Sequence, residues 1–295
     1  MDDNNSNQDL ESMLKFEIDN HLIKTQIPSE NKKKFYYILF AMAVVIIALV
    51  VLLSIKELDK NPDESDNMSY KDGIYWYENE GKKGKTESFQ IFKEGVYKVC
   101  VFGAKAIEGG RGGKQCATHT FKKGDFIDFY LEGRSSGGEG GKNCGYNDKD
   151  GFDGAGLAKA EKRNHPEEFE IFAGGGGGNS EDNLNKGGDY EKDGEGAYKG
   201  GGATSSTYGK KGDDDAQDGS STNNGGKGGQ SDRLGCYCGG GGGNGYYGGG
   251  GGGFSIYKKK VGGGGGGSNF CNGENCEKGI NDIKVYAGYK ITNLM

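Results

Sequence analysis

Short runs of alternating apolar and polar residues recur over the second part of the chain. In the clearest run, GVYKVCVFG, the side chains of Tyr97, Val99 and Val101 fall on one face. A period of two is typical of a strand that covers a core. Further strands are predicted in GIYWY, ESFQIF, CATHTF, DFIDFYLEG, EFEIFA and INDIKVYAGYKI. The pattern predicts a mainly β protein, an antiparallel sandwich of the jelly-roll type.

A continuous apolar run precedes these strands. Residues 35–55, FYYILFAMAVVIIALVVLLSI, contain no charge, and as a helix they would be about 31 Å long, enough to cross a bilayer. The apolar region of a cleaved signal peptide is shorter, about 7 to 15 residues. Because Lys32, Lys33 and Lys34 precede the run, we expect an uncleaved anchor with a cytoplasmic N-terminus.

These patterns predict four parts of the chain. They are a largely disordered cytoplasmic tail at 1–34, a transmembrane signal-anchor helix at 35–55, a stalk at 56–72 and an extracellular glycine-rich domain at 73–295. The tail is too short to fold as a large catalytic domain. Any signal would therefore pass through a recruited partner.

Composition separates the two ends of the chain. Glycine occupies 60 positions, of which only Gly73, Gly81, Gly84 and Gly95 precede Val101. Apolar residues make up 33%, below the usual 45 to 50% or so, so the core must be small. A net charge of −6 without a basic face argues against nucleic-acid binding.

Four glycine runs need a structural explanation. They are residues 174–178, 239–243, 248–253 and 262–267. The simplest interpretation is a flexible linker, since glycine loses the most backbone entropy on folding. The alternative is a set of left-handed extended helices with three residues per turn. Such helices have no internal hydrogen bonds, and neighbouring helices can satisfy them laterally.

One long stretch is similar to a known extracellular domain. FQIFKEGVYKVCVFGAKAIEGGRGGKQCATHTFKKGDFIDFYLEGRSSGGEGGKN resembles the opening of the glycine-rich ligand-binding domain of the anaplastic lymphoma kinase and leukocyte tyrosine kinase receptors. The matching positions are Phe89, Gly95, Tyr97, Val99, Gly103, Ala104, Gly112, Gly113, Gly124, Asp125 and Gly133. FEIFAGGGGG and CGGGGGNGYYGGGGGGFSIYKKKVGGGGGGSNF resemble the later glycine-rich parts of that domain.

The resemblance covers roughly residues 73–290. It implies a tumour-necrosis-factor-like sandwich with an inserted bundle of polyglycine helices, which binds a polypeptide ligand. This sequence departs from those receptors because its anchor precedes the domain, no kinase follows, and the acidic insert at Asp213 has no counterpart. We therefore expect a receptor-like chain that is not an enzyme.

All seven cysteines follow the apolar run, which indicates an oxidising compartment. The disulfide candidates are Cys100, Cys116, Cys236, Cys238, Cys271 and Cys276. Spacing alone favours one local loop, in which Cys271 and Cys276 flank a turn-rich segment. The odd number leaves one thiol free, bonded to a small molecule, or bonded to a second copy in a covalent dimer. Asn67 begins a glycosylation sequon.

Catalytic and metal motifs are weak in this sequence. His119 and His165 have no nearby sequence partners for a nucleophile or metal motif. Matches to Gly-x-Gly-x-x-Gly arise by chance in a chain so rich in glycine and lack a βαβ context. The acidic turns NDKDGFDG and KGDDD complete no calcium loop and are interpreted as solvated charge. We predict no cofactor and no metal.

Two functional hypotheses are favoured. The first is a binding module at the plasma membrane or another secretory-pathway membrane, in which Tyr237, Tyr246, Tyr247 and Tyr257 meet a protein or glycan ligand. The second is a structural, matrix or adhesion protein whose glycine layers self-associate. An enzyme is a third class that stays open only because fold does not fix function.

Overall fold

The computed structural model describes residues 68–142, 150–181, 184–213, 215–230, 237–255 and 260–294. The chain divides into two units, Met1–Ser65 and Asp66–Met295, and every described residue belongs to the second unit. The predicted tail, the predicted anchor at 35–55 and most of the predicted stalk lie outside the described residues. Within the described ranges, no helix has the length and apolar character needed to cross a bilayer.

Thirteen strands make up the regular structure of these ranges, which contain no α-helix. In chain order they are β1 Met68–Lys71, β2 Ile74–Tyr77, β3 Gly84–Gln90, β4 Gly95–Phe102, β5 Gly113–Phe121, β6 Phe126–Glu132, β7 Ala158–Lys162, β8 Glu170–Ala173, β9 Phe254–Ser255, β10 Lys260–Val261, β11 Phe270–Cys271, β12 Glu274–Ile280 and β13 Ala287–Asn293. The prediction of a mainly β domain is confirmed.

The strands form two large antiparallel sheets and one short hairpin. The first sheet has the order β1-β2-β13-β4-β5-β12 and the second the order β11-β8-β7-β6-β3, while β9 pairs only with β10. The last strand, β13, lies between β2 and β4. The first sheet therefore joins the two ends of the described chain.

The main core contains residues from both sheets. On β4, Tyr97, Val99 and Val101 are buried, as the alternation in GVYKVCVFG predicts. Phe129 from β6 and Ile171 from β8 belong to the same cluster and have no exposed surface. A core shared in this way stabilises both sheets through apolar burial.

A second apolar cluster lies on the opposite face of the first sheet from the main core, because Cys100 and Phe102 alternate along β4 with the core residues Val99 and Val101. Cys100 and Cys116 are directly opposite in the β4–β5 register and form a disulfide. They cluster with Ile74, Trp76 and Phe102, and the rings of Trp76 and Phe102 are 5.2 Å apart. The first sheet thus carries buried side chains on both faces.

The C-terminal strand is shorter than predicted. Residues 280–291 were expected to be extended, but the strand begins at Ala287. The preceding loop is shaped by Asn281, whose Oδ1 accepts hydrogen bonds from the amides of Ile283 and Lys284. Its amide nitrogen donates to the carbonyl of Gly103 at 2.9 Å. These local side-chain bonds replace a sheet ladder over 281–286.

Six strands were not predicted, namely β1, β7, β12 and the two-residue strands β9, β10 and β11. Strand β1 lies within the segment predicted as the stalk, 56–72, and pairs with β2 along its whole length. Strand β12 is mostly exposed and polar, so it has no apolar alternation to detect. Strand β7 alternates alanine with charged residues, and Ala158 and Ala160 are buried.

The four glycine runs pack side by side through backbone hydrogen bonds. In the run 239–243, each amide donates to a carbonyl of a neighbouring segment over 2.9 to 3.1 Å. Amides three residues apart donate to the same segment. The acceptors of these five amides, in chain order, are the carbonyls of Gly229, Gly262, Phe152, Gly226 and Gly265. Three neighbours therefore surround the run, one on each side of a threefold repeat.

The other runs repeat the arrangement. In the run 262–267, the amides of Gly262 and Gly265 donate to the run 248–253, and those of Gly264 and Gly267 donate to the run 174–178. We call this hydrogen-bonded set of segments the glycine lattice. Its hydrogen bonds satisfy the buried peptide groups, which in a sheet would bond to a neighbouring strand.

The lattice leaves no room for side chains in its interior. A Cβ atom built on Gly242 would lie 2.0 Å from the carbonyl oxygen of Gly249. Where the runs end, buried asparagines complete the hydrogen bonds: Asn269 Oδ1 accepts from Gly174 N at 2.9 Å, and Asn244 Oδ1 accepts from Gly225 N at 2.9 Å. The flexible-linker interpretation of the glycine runs is therefore wrong for these residues.

Candidate functional site

The three predicted binding tyrosines that the structure describes do not share one place. Tyr246 and Tyr247 lie together in the bend between the runs 239–243 and 248–253, and both are half-buried. Tyr237 packs elsewhere, against Phe254 and Val261 of the β9–β10 hairpin. Tyr257 lies outside the described residues.

One buried serine fixes the bend that carries Tyr246 and Tyr247. Ser268 follows the run 262–267 and has no exposed surface. Its carbonyl accepts from the amide of Tyr246 at 3.0 Å, and its own amide donates to the carbonyl of Tyr247 at 3.0 Å. Its Oγ also accepts from the amide of Tyr247 at 2.9 Å. The two tyrosines are therefore anchored at their backbones.

Two phenylalanines from the second sheet complete an aromatic cluster, which we define as Phe172, Tyr246, Tyr247 and Phe270. Tyr246 stacks on Phe270, with ring centroids 4.0 Å apart and planes 12° apart. Phe172 meets Tyr246 edge to face at 5.3 Å, and Tyr247 meets Tyr246 edge to face at 5.0 Å. The cluster joins the glycine lattice to the edge strand β11.

Strand pairing explains why the phenylalanines meet the tyrosines. Phe270 is opposite Phe172 in the β11–β8 register, so the two rings lie on one face of the second sheet. Neither phenylalanine was predicted as a site residue from the sequence. The signal that could have found Phe270 is its position two residues after Ser268, where the last glycine run turns into a strand.

A cation supports the buried end of the cluster. Lys159 Nζ lies 5.0 Å from the ring centroid of Phe172 and 2.8 Å from the carboxylate of Glu170. Burial opposes the charged amine, yet the carboxylates of Glu161 and Glu170 raise the pKa of Lys159 above its ordinary value. The ammonium is therefore charged at neutral pH, and it is attracted to the electron-rich face of the Phe172 ring.

The cluster has the properties of a binding surface. Phe172 is buried, whereas Tyr246, Tyr247 and Phe270 are half-buried and present part of each ring to solvent. Rings fixed in this way offer apolar area and phenolic hydroxyls at low conformational cost. Such a surface suits the apolar face of a sugar ring or an apolar side chain of a protein.

The described cysteines form pairs. Cys271 and Cys276 close a local loop with a sequence separation of 5, and Cys100 and Cys116 bridge β4 and β5. Cys238 is also disulfide-bonded and has no exposed surface. Two other sequence-predicted sites, the disulfide candidate Cys236 and the glycosylation site Asn67, lie outside the described residues.

The two histidines have different surroundings. His119 lies on β5, edge to face with Phe121 at 4.7 Å, and burial lowers its pKa. His165 is exposed, and its ligand atom lies within 4.8 Å of those of Glu167 and Glu168. Because Glu168 also pairs with Lys162 at 2.6 Å, a cation bound there would have to displace an ammonium.

Neither the models of known protein families nor the curated proteins match this sequence.

Proposed function

We propose that the chain is a single-pass type II membrane protein that presents a receptor-like binding domain outside the cell. Residues 35–55 form the anchor in this proposal, the N-terminus is cytoplasmic, and the glycine-rich domain meets a protein or glycan ligand. The membrane is the plasma membrane or another membrane of the secretory pathway. The charge-free length of the apolar run and the lysines before it support this topology.

The proposed architecture is a jelly-roll sandwich with inserted polyglycine helices, as in the ligand-binding domain of the anaplastic lymphoma kinase and leukocyte tyrosine kinase receptors. The two antiparallel sheets and the threefold hydrogen-bond repeat of the glycine lattice support it. A repeat of three is that of the left-handed extended helix. The disulfides support exposure to an oxidising compartment.

The aromatic cluster is the single observation that carries the binding role. A ligand that covers Tyr246 and Tyr247 would not have to order them, because Ser268 already holds their backbones and Phe270 already holds one ring. Preorganisation of this kind leaves more of the contact energy for affinity. Partly exposed aromatic anchors are also the residues that dominate measured interfaces.

The binding proposal is tested with the full-length protein in lipid nanodiscs against an array of glycans and a library of secreted proteins. We expect a saturable ligand whose affinity falls about 30-fold in Tyr246→Ala/Tyr247→Ala, since truncation of a central aromatic costs about 2 kcal/mol or more. Tyr208→Ala is the control, because this exposed tyrosine lies outside the cluster. Absence of any saturable ligand, or equal binding by all variants, would contradict the proposal.

Topology is tested separately on intact cells. An epitope tag after the last residue should be accessible to antibody without permeabilisation, whereas a tag at the N-terminus should become accessible only after it. The reverse pattern of labelling would place the domain in the cytoplasm and remove the receptor-like role.

A further inference from the structure

A polar cleft of about 540 Å³ opens in the domain away from the aromatic cluster. Its walls are the segment 105–111, which follows β4, and the segment 186–195 of the glycine lattice. The lining consists of charged residues, one asparagine and four glycines, and it shares no residue with the aromatic cluster. Its size lies within the range of small-ligand sites, about 300 to 1,000 Å³.

The two walls are fixed to each other at the glycines. Gly110 N donates to Gly177 O at 2.9 Å, and Gly177 N donates in turn to Gly188 O at 2.9 Å, so Gly177 is bonded to both walls. A Cβ atom on Gly110 would lie 2.0 Å from the carbonyl oxygen of Gly188. The walls therefore touch through their backbones, and the cleft is formed before any ligand arrives.

Arg111 ties the two segments together by charge. Its Nη2 lies 2.8 Å from Asp189 Oδ2 and its Nη1 lies 2.7 Å from Asp282 Oδ1. Burial alone would raise the pKa of Asp189, but the guanidinium and the backbone amide of Arg111 hold it below its ordinary value. Arg111 and Asp189 thus form an ion pair with each other, and the pair is part of the cleft wall.

Three lysines of the cleft remain without such a match. Lys105, Lys186 and Lys192 line it, and none has a carboxylate within 4.0 Å in the part of the chain that the structure describes. A second acid of the lining, Asp193, is bound to Lys199 at 3.0 Å and to the amide of Gly202. Glu108 and Glu195 of the lining likewise have no cation within 4.0 Å among the described residues, so the unmatched charges of the cleft are three positive and two negative, and this positive excess attracts anionic groups.

The remaining lining residues indicate what kind of anion fits. Glu108 and Glu195 line the same cleft as the lysines, and carboxylates accept hydrogen bonds from hydroxyl groups. No aliphatic or aromatic side chain belongs to the described lining, whereas peptide recognition uses apolar pockets or an open strand edge. The lining thus favours a ligand rich in hydroxyls that also carries negative charge.

We propose that this cleft binds an acidic saccharide, a sugar chain that carries sulfate or carboxylate groups. Lys105, Lys186 and Lys192 pair with the acidic groups, and Glu108 and Glu195 accept hydrogen bonds from the sugar hydroxyls. The inference rests on the proposed function in so far as both make the domain a binding module, but it concerns a separate surface.

The test is calorimetric titration of the full-length protein in detergent with a heparin-derived tetrasaccharide. We expect saturable binding that weakens about tenfold or more in Lys186→Gln/Lys192→Gln, because charge-assisted hydrogen bonds are lost. The matched control is Lys122→Gln/Lys123→Gln, which removes the same charge from two exposed lysines outside the cleft. Urea unfolding monitored by Trp76 fluorescence confirms that each variant is folded.

Several outcomes would overturn the inference. They are absence of saturable binding to the wild type, equal binding by the cleft variant, or equal affinity for neutral maltotetraose. Equal affinity for inorganic sulfate or for a hexaglutamate peptide would leave an anion site without preference for sugar and would also overturn it. Tyr246→Ala/Tyr247→Ala should keep the saccharide affinity, so failure of the cleft and failure of the aromatic cluster are measured independently.

Discussion

The side-chain amide of Asn244 donates a hydrogen bond to Oε2 of Glu132 over 2.8 Å. Glu132 ends β6 in the second sheet, and Asn244 follows the run 239–243, so this bond joins the sheet to the glycine lattice. The same amide donates to Ser136 O at 2.9 Å, and Oε2 also accepts from Leu157 N at 2.9 Å. Sheet and lattice are therefore coupled through buried polar groups.

Replacement of Asn244 should destabilise the whole domain. Asn244→Ala leaves Ser136 O and Gly225 N without their partner and removes one of the two hydrogen bonds to Glu132 Oε2, and each unsatisfied buried group costs about 1 to 3 kcal/mol. We expect the free energy of unfolding to fall by about 3 kcal/mol or more, measured by urea unfolding with the single tryptophan, Trp76, as the probe. Asn224→Ala, at an exposed position, should change it by less than about 0.5 kcal/mol.

The same junction should make stability depend on pH. Burial raises the pKa of Glu132 above its ordinary value, although the hydrogen bonds from Asn244 and Leu157 oppose the shift. A carboxyl group whose folded pKa is raised binds more protons in the folded state, so stability falls as pH rises from 4.5 through the folded pKa. Glu132→Gln removes this titration. The wild type should therefore lose stability relative to the variant over that window, and a constant difference in urea unfolding would refute the shift.

The sandwich strands were predictable where one face is buried. On β4, alternation alone identifies Tyr97, Val99 and Val101 as core residues, because a period of two maps directly onto the faces of a strand. On β12 most side chains are exposed, so the sequence of this strand shows no alternation of apolar and polar residues. The loop at 281–286 was missed because Asn281 organises it through the nearby amides of Ile283 and Lys284 and through Gly103 O, which is far away in sequence.

The site was predictable only in part. Tyr246 and Tyr247 stand out in sequence because they interrupt two glycine runs. Their neighbours Phe172 and Phe270 depend on the register of two strands about a hundred residues apart, which alternation does not encode. The lysine-lined cleft was also missed, because glycine has no side chain that could indicate which segment lies beside it.

The glycine lattice should reject even a methyl group. Gly242→Ala would place a Cβ atom 2.0 Å from the backbone oxygen of Gly249, and backbone cannot move aside as a side-chain tip can. We expect a loss of about 3 kcal/mol or more, at the upper end of overpacking costs. Gly279→Ala is the matched control, because a Cβ atom there meets nothing within 4 Å. Equal melting temperatures for the two variants would argue against a close-packed lattice.

The two disulfides whose cysteines are both described should contribute unequally to stability. Cys100 and Cys116 enclose a separation of 16 residues, and Cys271 and Cys276 one of 5. Loop-closure entropy then gives about 3 kcal/mol for the first disulfide and about 2 kcal/mol for the second. Cys100 and Cys116 are also buried beside Trp76 and Phe102, so their removal costs packing as well.

Urea unfolding of Cys100→Ala/Cys116→Ala and Cys271→Ala/Cys276→Ala, each compared with the wild type, measures the two contributions. The first double variant should lose more free energy of unfolding than the second, because its longer loop regains more entropy when unfolded and its side chains leave a gap in the apolar cluster. If the second variant lost more, the bridge between β4 and β5 would not be the stronger constraint on the unfolded chain.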